Sequence, residues 1–109
     1  MRFVTMLVTI GAGIAIPAAA QDAKVARGKD VYDAQKCAMC HSIGDKGNKK
    51  GPLDGVGSRL SASDLRSWMV DAKGMTARTK AARKPEMKSY TLPEADLDAI
   101  VAYMMSLKK

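Results

Sequence analysis

The sequence predicts an all-α domain of three main helices joined by long loops. Three observations lead there. Apolar residues recur at three- and four-residue spacing in three separate segments, a helix-start signal stands before each, and no segment alternates convincingly as a strand would.

The first twenty residues read as a leader. Arg2 precedes an apolar run from Phe3 to Ile16, Pro17 breaks it, and Ala18, Ala19 and Ala20 supply the small residues of a cleavage site. The run is shorter than the ~20 residues a spanning helix needs. A secretory signal peptide over 1–20 is therefore expected, an uncleaved anchor being the competing reading. The domain would be 21–109. Its first helix is expected to start at Asp22 as cap and to carry Val25, Gly28, Val31, Tyr32 and Gln35 on its inner face, running into Cys37.

From His41 to Leu60 the sequence reads as loop, with Gly44, Gly47, Gly51, Pro52, Gly55 and Gly57 as breakers. A loop this long usually has a function or wraps something. Ser61 and Asp64 then start a short second helix with Leu65, Trp68 and Met69 on its stripe, and Gly74 is expected to end it. Residues 75–90 read as a second, very basic loop. Thr91 and Glu94 form a capping box for the last helix, with Pro93 in its first turn. Leu97, Ile100, Val101, Met104 and Leu107 are its apolar face.

Once Phe3 leaves with the leader, the domain has only Trp68, Tyr32, Tyr90 and Tyr103 as aromatics. So short a chain usually needs a staple, a metal or a large cofactor. Its two cysteines, Cys37 and Cys40, are too close in sequence for a disulfide to add much. The formal charge of +7 loses one unit with Arg2. Export and the lack of aromatic residues interleaved in the basic loop speak against nucleic-acid binding.

The chemistry lies in Cys37-Ala38-Met39-Cys40-His41. Two thiols at this spacing can each add to one vinyl group of the same porphyrin edge. The next residue, histidine, is then held beneath the iron. Two other readings compete. A thioredoxin-like C-x-x-C needs a strand–helix–strand setting. A zinc site needs four ligands, and two Cys with the single His fall one short.

The chain resembles the small bacterial monohaem cytochromes c of class I over essentially the whole mature length. The resemblance rests on C-A-M-C-H, on G-P-L-D-G-V-G-S-R at 51–59, on K-P-E-M-K-S-Y at 84–90, and on the closing L-P-E-A-D-L-D-A-I-V-A-Y-M-M-S-L. It implies a class I fold around one covalently bound haem, attached at Cys37 and Cys40. His41 and a second ligand would hold the iron.

With no second histidine, methionine is the natural choice, and a thioether raises the potential. Met39 lies on the porphyrin edge itself, while Met69, Met104 and Met105 fall in expected helices, where packing is the usual role. Met75 and Met87 remain. The family places its ligand just before the last helix, which favours Met87; Lys88 stands where the family often has proline. The resemblance also assigns the Pro52 carbonyl as acceptor for the His41 ring N–H. Arg59 and Trp68 are candidate donors to the haem propionates, a solvated arginine and a packed tryptophan being the alternatives. The first and last helices are expected to cross at Gly28, with Tyr32 and Tyr103 at the joint.

The expected function is one-electron shuttling in the periplasm by a monomer whose partners are redox proteins with acidic docking surfaces. Membrane contact would be peripheral only. Two alternatives stay open: the haem subunit of a larger oxidoreductase, and a ligand-binding haem protein.

Overall fold

A computed structural model describes residues 17–109, together with Gly11 and Gly13. The apolar run of the expected leader lies outside the described residues.

The first helix, α1 (Ala18–Ala34), starts five residues earlier than the sequence suggests. Pro17 is its N-cap and Asp22 lies inside it, because three alanines, the best helix formers, follow the proline directly. Gly28, Val31 and Tyr32 form its buried face. Lys36 takes a left-handed conformation (φ 56°) and turns the chain into a 3-10 turn at Cys37–Met39.

The loop that follows is more ordered than its composition implies. Strands β1 (Ser42–Ile43) and β2 (Lys46–Gly47) pair antiparallel, with Ser42 opposite Gly47. Two residues per strand are too few to register as an alternating pattern. Gly44 (φ 58°) and Gly47 (φ 102°) supply the positive φ angles that this tight turn requires. Residues 51–53 run back alongside: Ser42 N–H donates to the Gly51 carbonyl (3.1 Å) and Leu53 N–H to the Ser42 carbonyl (2.8 Å). A four-residue helix, α2 (Val56–Arg59), then docks on the chain end through Gly57 N–H to the Leu107 carbonyl (2.9 Å).

Helix α3 (Ala62–Val70) begins as expected, with the Ser61 hydroxyl accepting from Asp64 N–H (3.1 Å). Its end differs. The chain leaves the helix at Asp71, whose carboxylate accepts from Gly74 N–H (3.1 Å) and starts a further helix, α4 (Ala72–Thr79). Gly74 is thus not a terminator: an aspartate three residues before it is a strong N-cap. The basic loop shrinks accordingly to the stretch from Lys80 onward.

The last helix, α5 (Glu94–Ser106), has Pro93 at its N-cap and no side-chain cap. The expected Thr91–Glu94 box does not form. Glu94 pairs instead with Arg66 of α3, which also holds Asp98 (3.1 Å). A cation across the helix interface competes successfully with a local backbone N–H.

Leu97, Ile100 and Met104 of α5 meet Val31, Tyr32, Val56, Leu65 and Met69 in one core. Helices α1 and α5 cross at Gly28, as expected. A Cβ there would meet the Ala99 carbonyl group and Tyr103 Cβ, so only glycine allows the backbones this close. The Tyr32 and Tyr103 rings pack edge to face beside the crossing, 5.8 Å between centroids, and Arg27 pairs with Asp96 (2.7 Å). No helix among the described residues is long and apolar enough to cross a membrane.

Candidate functional site

These elements leave a cavity of about 660 Å³ open between them, within the range of about 300–1,000 Å³ usual for ligand sites. Its walls come from every part of the domain. The 3-10 turn brings Cys37 and Cys40, with His41 directly after. The returning segment brings Gly51, Pro52 and Leu53. Helices α3 and α5 supply Leu65, Trp68, Met69 and Met104, and the loop before α5 brings Arg83, Met87 and Lys88. Its apolar members include core residues of α1, α3 and α5, such as Tyr32, Leu65, Met69 and Met104.

All seven site residues expected from the sequence line this one cavity: Cys37, Cys40, His41, Pro52, Arg59, Trp68 and Met87. Met87 is half-buried and packs against the core. Met75, the other loop methionine of the sequence reading, is in α4 and buried; it does not line the cavity, and Arg78 Nη2 lies 2.9 Å from its sulfur. Met39 reaches the rim and is 71 % exposed.

His41 holds a defined orientation. Its Nδ1 lies 3.0 Å from the Gly51 carbonyl oxygen, which requires the Nδ1–H tautomer and leaves Nε2 for a metal. This corrects the expected partner, Pro52, by one residue. Pairing of Ser42 with residues 51–53 turns the Gly51 carbonyl inward, where it accepts both from Ser42 N–H and from the ring. Burial holds the His41 pKa below its ordinary value, and the Arg83 charge adds to this, opposed by the Gly51 hydrogen bond. The imidazole is therefore neutral and ready to ligate at physiological pH. Burial also pushes the Cys37 thiol upward.

Tyr32, on the same wall, has a buried hydroxyl with no hydrogen-bond partner, and burial pushes its pKa up to about 12. Buried polar atoms without partners are rare in finished structures.

The two competing readings of the C-x-x-C lose support here. Among the described residues the only strands are the two-residue hairpin. No three His, Cys, Asp or Glu side chains among them gather as a metal set.

The family model for cytochrome c matches residues 25–108, almost the whole of the described domain. The chain belongs to the cytochrome c family. Membership makes it a haem c protein of electron transfer, with the mostly helical fold already described. Cytochrome c oxidase subunit 2 of Alkalihalophilus pseudofirmus is 26 % identical over 91 residues, covering 75 % of this chain. The match spans only 25 % of that relative's own length. No solved structure matches significantly.

The residues fit the group that the family carries. Two thiols stand beside an imidazole of fixed tautomer, a thioether lines the same cavity, and the remaining wall is largely apolar. Sequence reasoning missed two contributors. Gly51 reads only as one loop glycine among several, and Arg83 as one cation in a basic run. Neither carries a local signal, since each acquires its role from a segment distant in the chain.

Proposed function

We propose that this cytochrome c is an exported, monomeric one-electron carrier holding a single haem by thioethers at Cys37 and Cys40. His41 and Met87 are its axial ligands. The observation that carries this reading is the convergence of those four side chains on one apolar cavity, while Met75 is packed elsewhere. Bound there, the haem iron takes up and releases one electron. The chain's own residues do the rest. The Gly51 carbonyl orients the imidazole, the Met87 sulfur favours the ferrous state, and the apolar wall excludes water. Pro52 and Leu53 close the His41 side. Arg59 and Trp68 are the donors available to the propionates. With His41 and Met87 both holding the iron, no coordination position would stay open for catalysis.

The leader over 1–20 directs the chain to the periplasm in this reading. The basic loop is the docking surface for acidic redox partners. Its exposed cations border the cavity directly: Arg83 and Lys88 line it, Lys84 pairs with Glu86 (2.7 Å), and Lys88 stands 5.1 Å above the Tyr90 ring. Charge beside a redox centre steers encounter, an effect that salt screens.

The optical spectrum of the purified protein, oxidised and reduced, tests the ligation, and acid–acetone extraction tests the attachment. The protein should retain its colour on extraction and show the weak sulfur-to-ferric-iron band. Colour lost to the solvent would refute thioether attachment, and rapid carbon monoxide binding by the reduced protein would refute Met87 ligation.

The similarity to an oxidase subunit supports a second reading, in which the domain is the haem-bearing part of a larger oxidoreductase. Purification in a stable complex with a second chain would favour it.

A further inference from the structure

The sequence places Arg83 in a run of solvated cations; the fold places its guanidinium on the histidine side of the cavity. A Cβ built on Gly51 would collide with Arg83 Nη1 and with the Cys40 carbonyl oxygen, and approach Arg83 Cζ at 3.0 Å. The guanidinium therefore occupies space beside Gly51 that a side chain on any other residue at 51 would fill. The carbonyl of that same residue accepts from His41 Nδ1 (3.0 Å). Arg83 also lines the cavity itself. It has no acidic partner: among the described residues, Arg27, Arg66, Arg78 and Lys84 make the ion pairs, and Arg83 makes none. Its neighbour Glu86 is taken by Lys84.

We propose that Arg83 is a positioning residue that raises the reduction potential of this cytochrome, by standing as an uncompensated positive charge against the Gly51 peptide that orients His41. The inference rests on the reading of His41 as an iron ligand.

The physical argument is Coulombic. Oxidation adds one positive charge at the metal, and a fixed cation nearby disfavours that added charge. Interactions across a protein's apolar interior are screened far less than those across water. A second effect acts in the same direction. A cation beside the Gly51 peptide draws electron density from its carbonyl oxygen, which weakens the hydrogen bond that makes the imidazole a stronger donor. A less electron-rich imidazole stabilises ferric iron less.

Arg83 is exposed and not part of the core, so the holoprotein should fold without it. The test is an equilibrium redox titration of the full-length holoprotein, as parent, Arg83→Gln and Arg83→Lys, at low and at high salt. Arg83→Gln should lower the midpoint potential, and Arg83→Lys should keep it nearer the parent value. The parent–Gln difference should narrow at high salt, because Arg83 is exposed and its charge is open to screening. The sulfur-to-iron band and the unfolding midpoint should be unchanged in both. A parent and an Arg83→Gln protein of equal potential would overturn the proposal, as would equal shifts in Gln and Lys, which would assign the effect to shape and not to charge. A parent lacking a covalent His/Met spectrum would overturn the reading of the site and the proposal with it.

Discussion

Replacing Gly28 drives a side chain into the backbone of α5, and the cost can be worked from the geometry. A Cβ at position 28 would stand 2.6 Å from Tyr103 Cβ and 2.7 Å from the Ala99 carbonyl carbon. Carbon atoms prefer about 3.5–4.0 Å, so the helices must part by about 1 Å. Neither neighbour can yield by rotating, since one is main chain and the other is the root of its side chain. Parting the helices loosens the Tyr32–Tyr103 contact and the Arg27–Asp96 pair beside the crossing. Overpacking of this kind costs about 1–3 kcal/mol. Relief of the helical glycine offsets about 1 kcal/mol for alanine and about half of that for β-branched valine. Gly28→Ala should therefore lose about 1 kcal/mol and the bulkier Gly28→Val about 2 kcal/mol. A loss of 1 kcal/mol lowers the Tm of a domain this size by about 4–8 °C. Guanidinium unfolding of the holoproteins, followed by far-UV circular dichroism, measures both. An alanine variant as stable as the parent, or more so, would refute the argument, because propensity alone would then govern the site.

Three further outcomes follow from the packing and the charges. Met87→Ala should abolish the sulfur-to-ferric-iron band and lower the potential. Met75→Ala should leave both intact yet cost about 2–5 kcal/mol as a buried large-to-small change; the reverse pattern in spectra would move the ligand to Met75. Lys88→Glu should slow electron transfer to an acidic partner at low salt and flatten its salt dependence. Lys84→Glu should do so less, since Lys84 is already paired with Glu86; stopped-flow rates across a salt series decide it. The Tyr32 hydroxyl titrates at an ordinary value of 10 when unfolded and near 12 when folded. Its raised folded pKa contributes stability that is full below pH 10 and is lost as pH rises through about 12. Tyr32→Phe should remove that part of the alkaline slope in pH-dependent unfolding, and an unchanged slope would show that Tyr32 does not contribute to it.

What could be read from the sequence alone was encoded over short distances. Five consecutive residues, Cys37 to His41, state the attachment chemistry. The Ser61 cap acts over three residues, and the stripe of α5 repeats every three to four. Gly28 in an otherwise helical segment signals a close crossing, once the resemblance says which helix it meets. Such features depend on backbone geometry that each segment carries with it. Tertiary structure decided whatever depends on competition between distant partners. Glu94 could cap its own helix or pair with Arg66, and the cation across the interface prevailed. The His41 ring could have met the carbonyl of Pro52 or of Gly51, and the pairing of Ser42 with residues 51–53 turned Gly51 inward. Arg83 acquired a place beside the imidazole only because Gly51, some thirty residues earlier, lacks a side chain. No local propensity distinguishes these alternatives, because hydrogen bonds and charges act on whichever group the fold brings within a few ångströms.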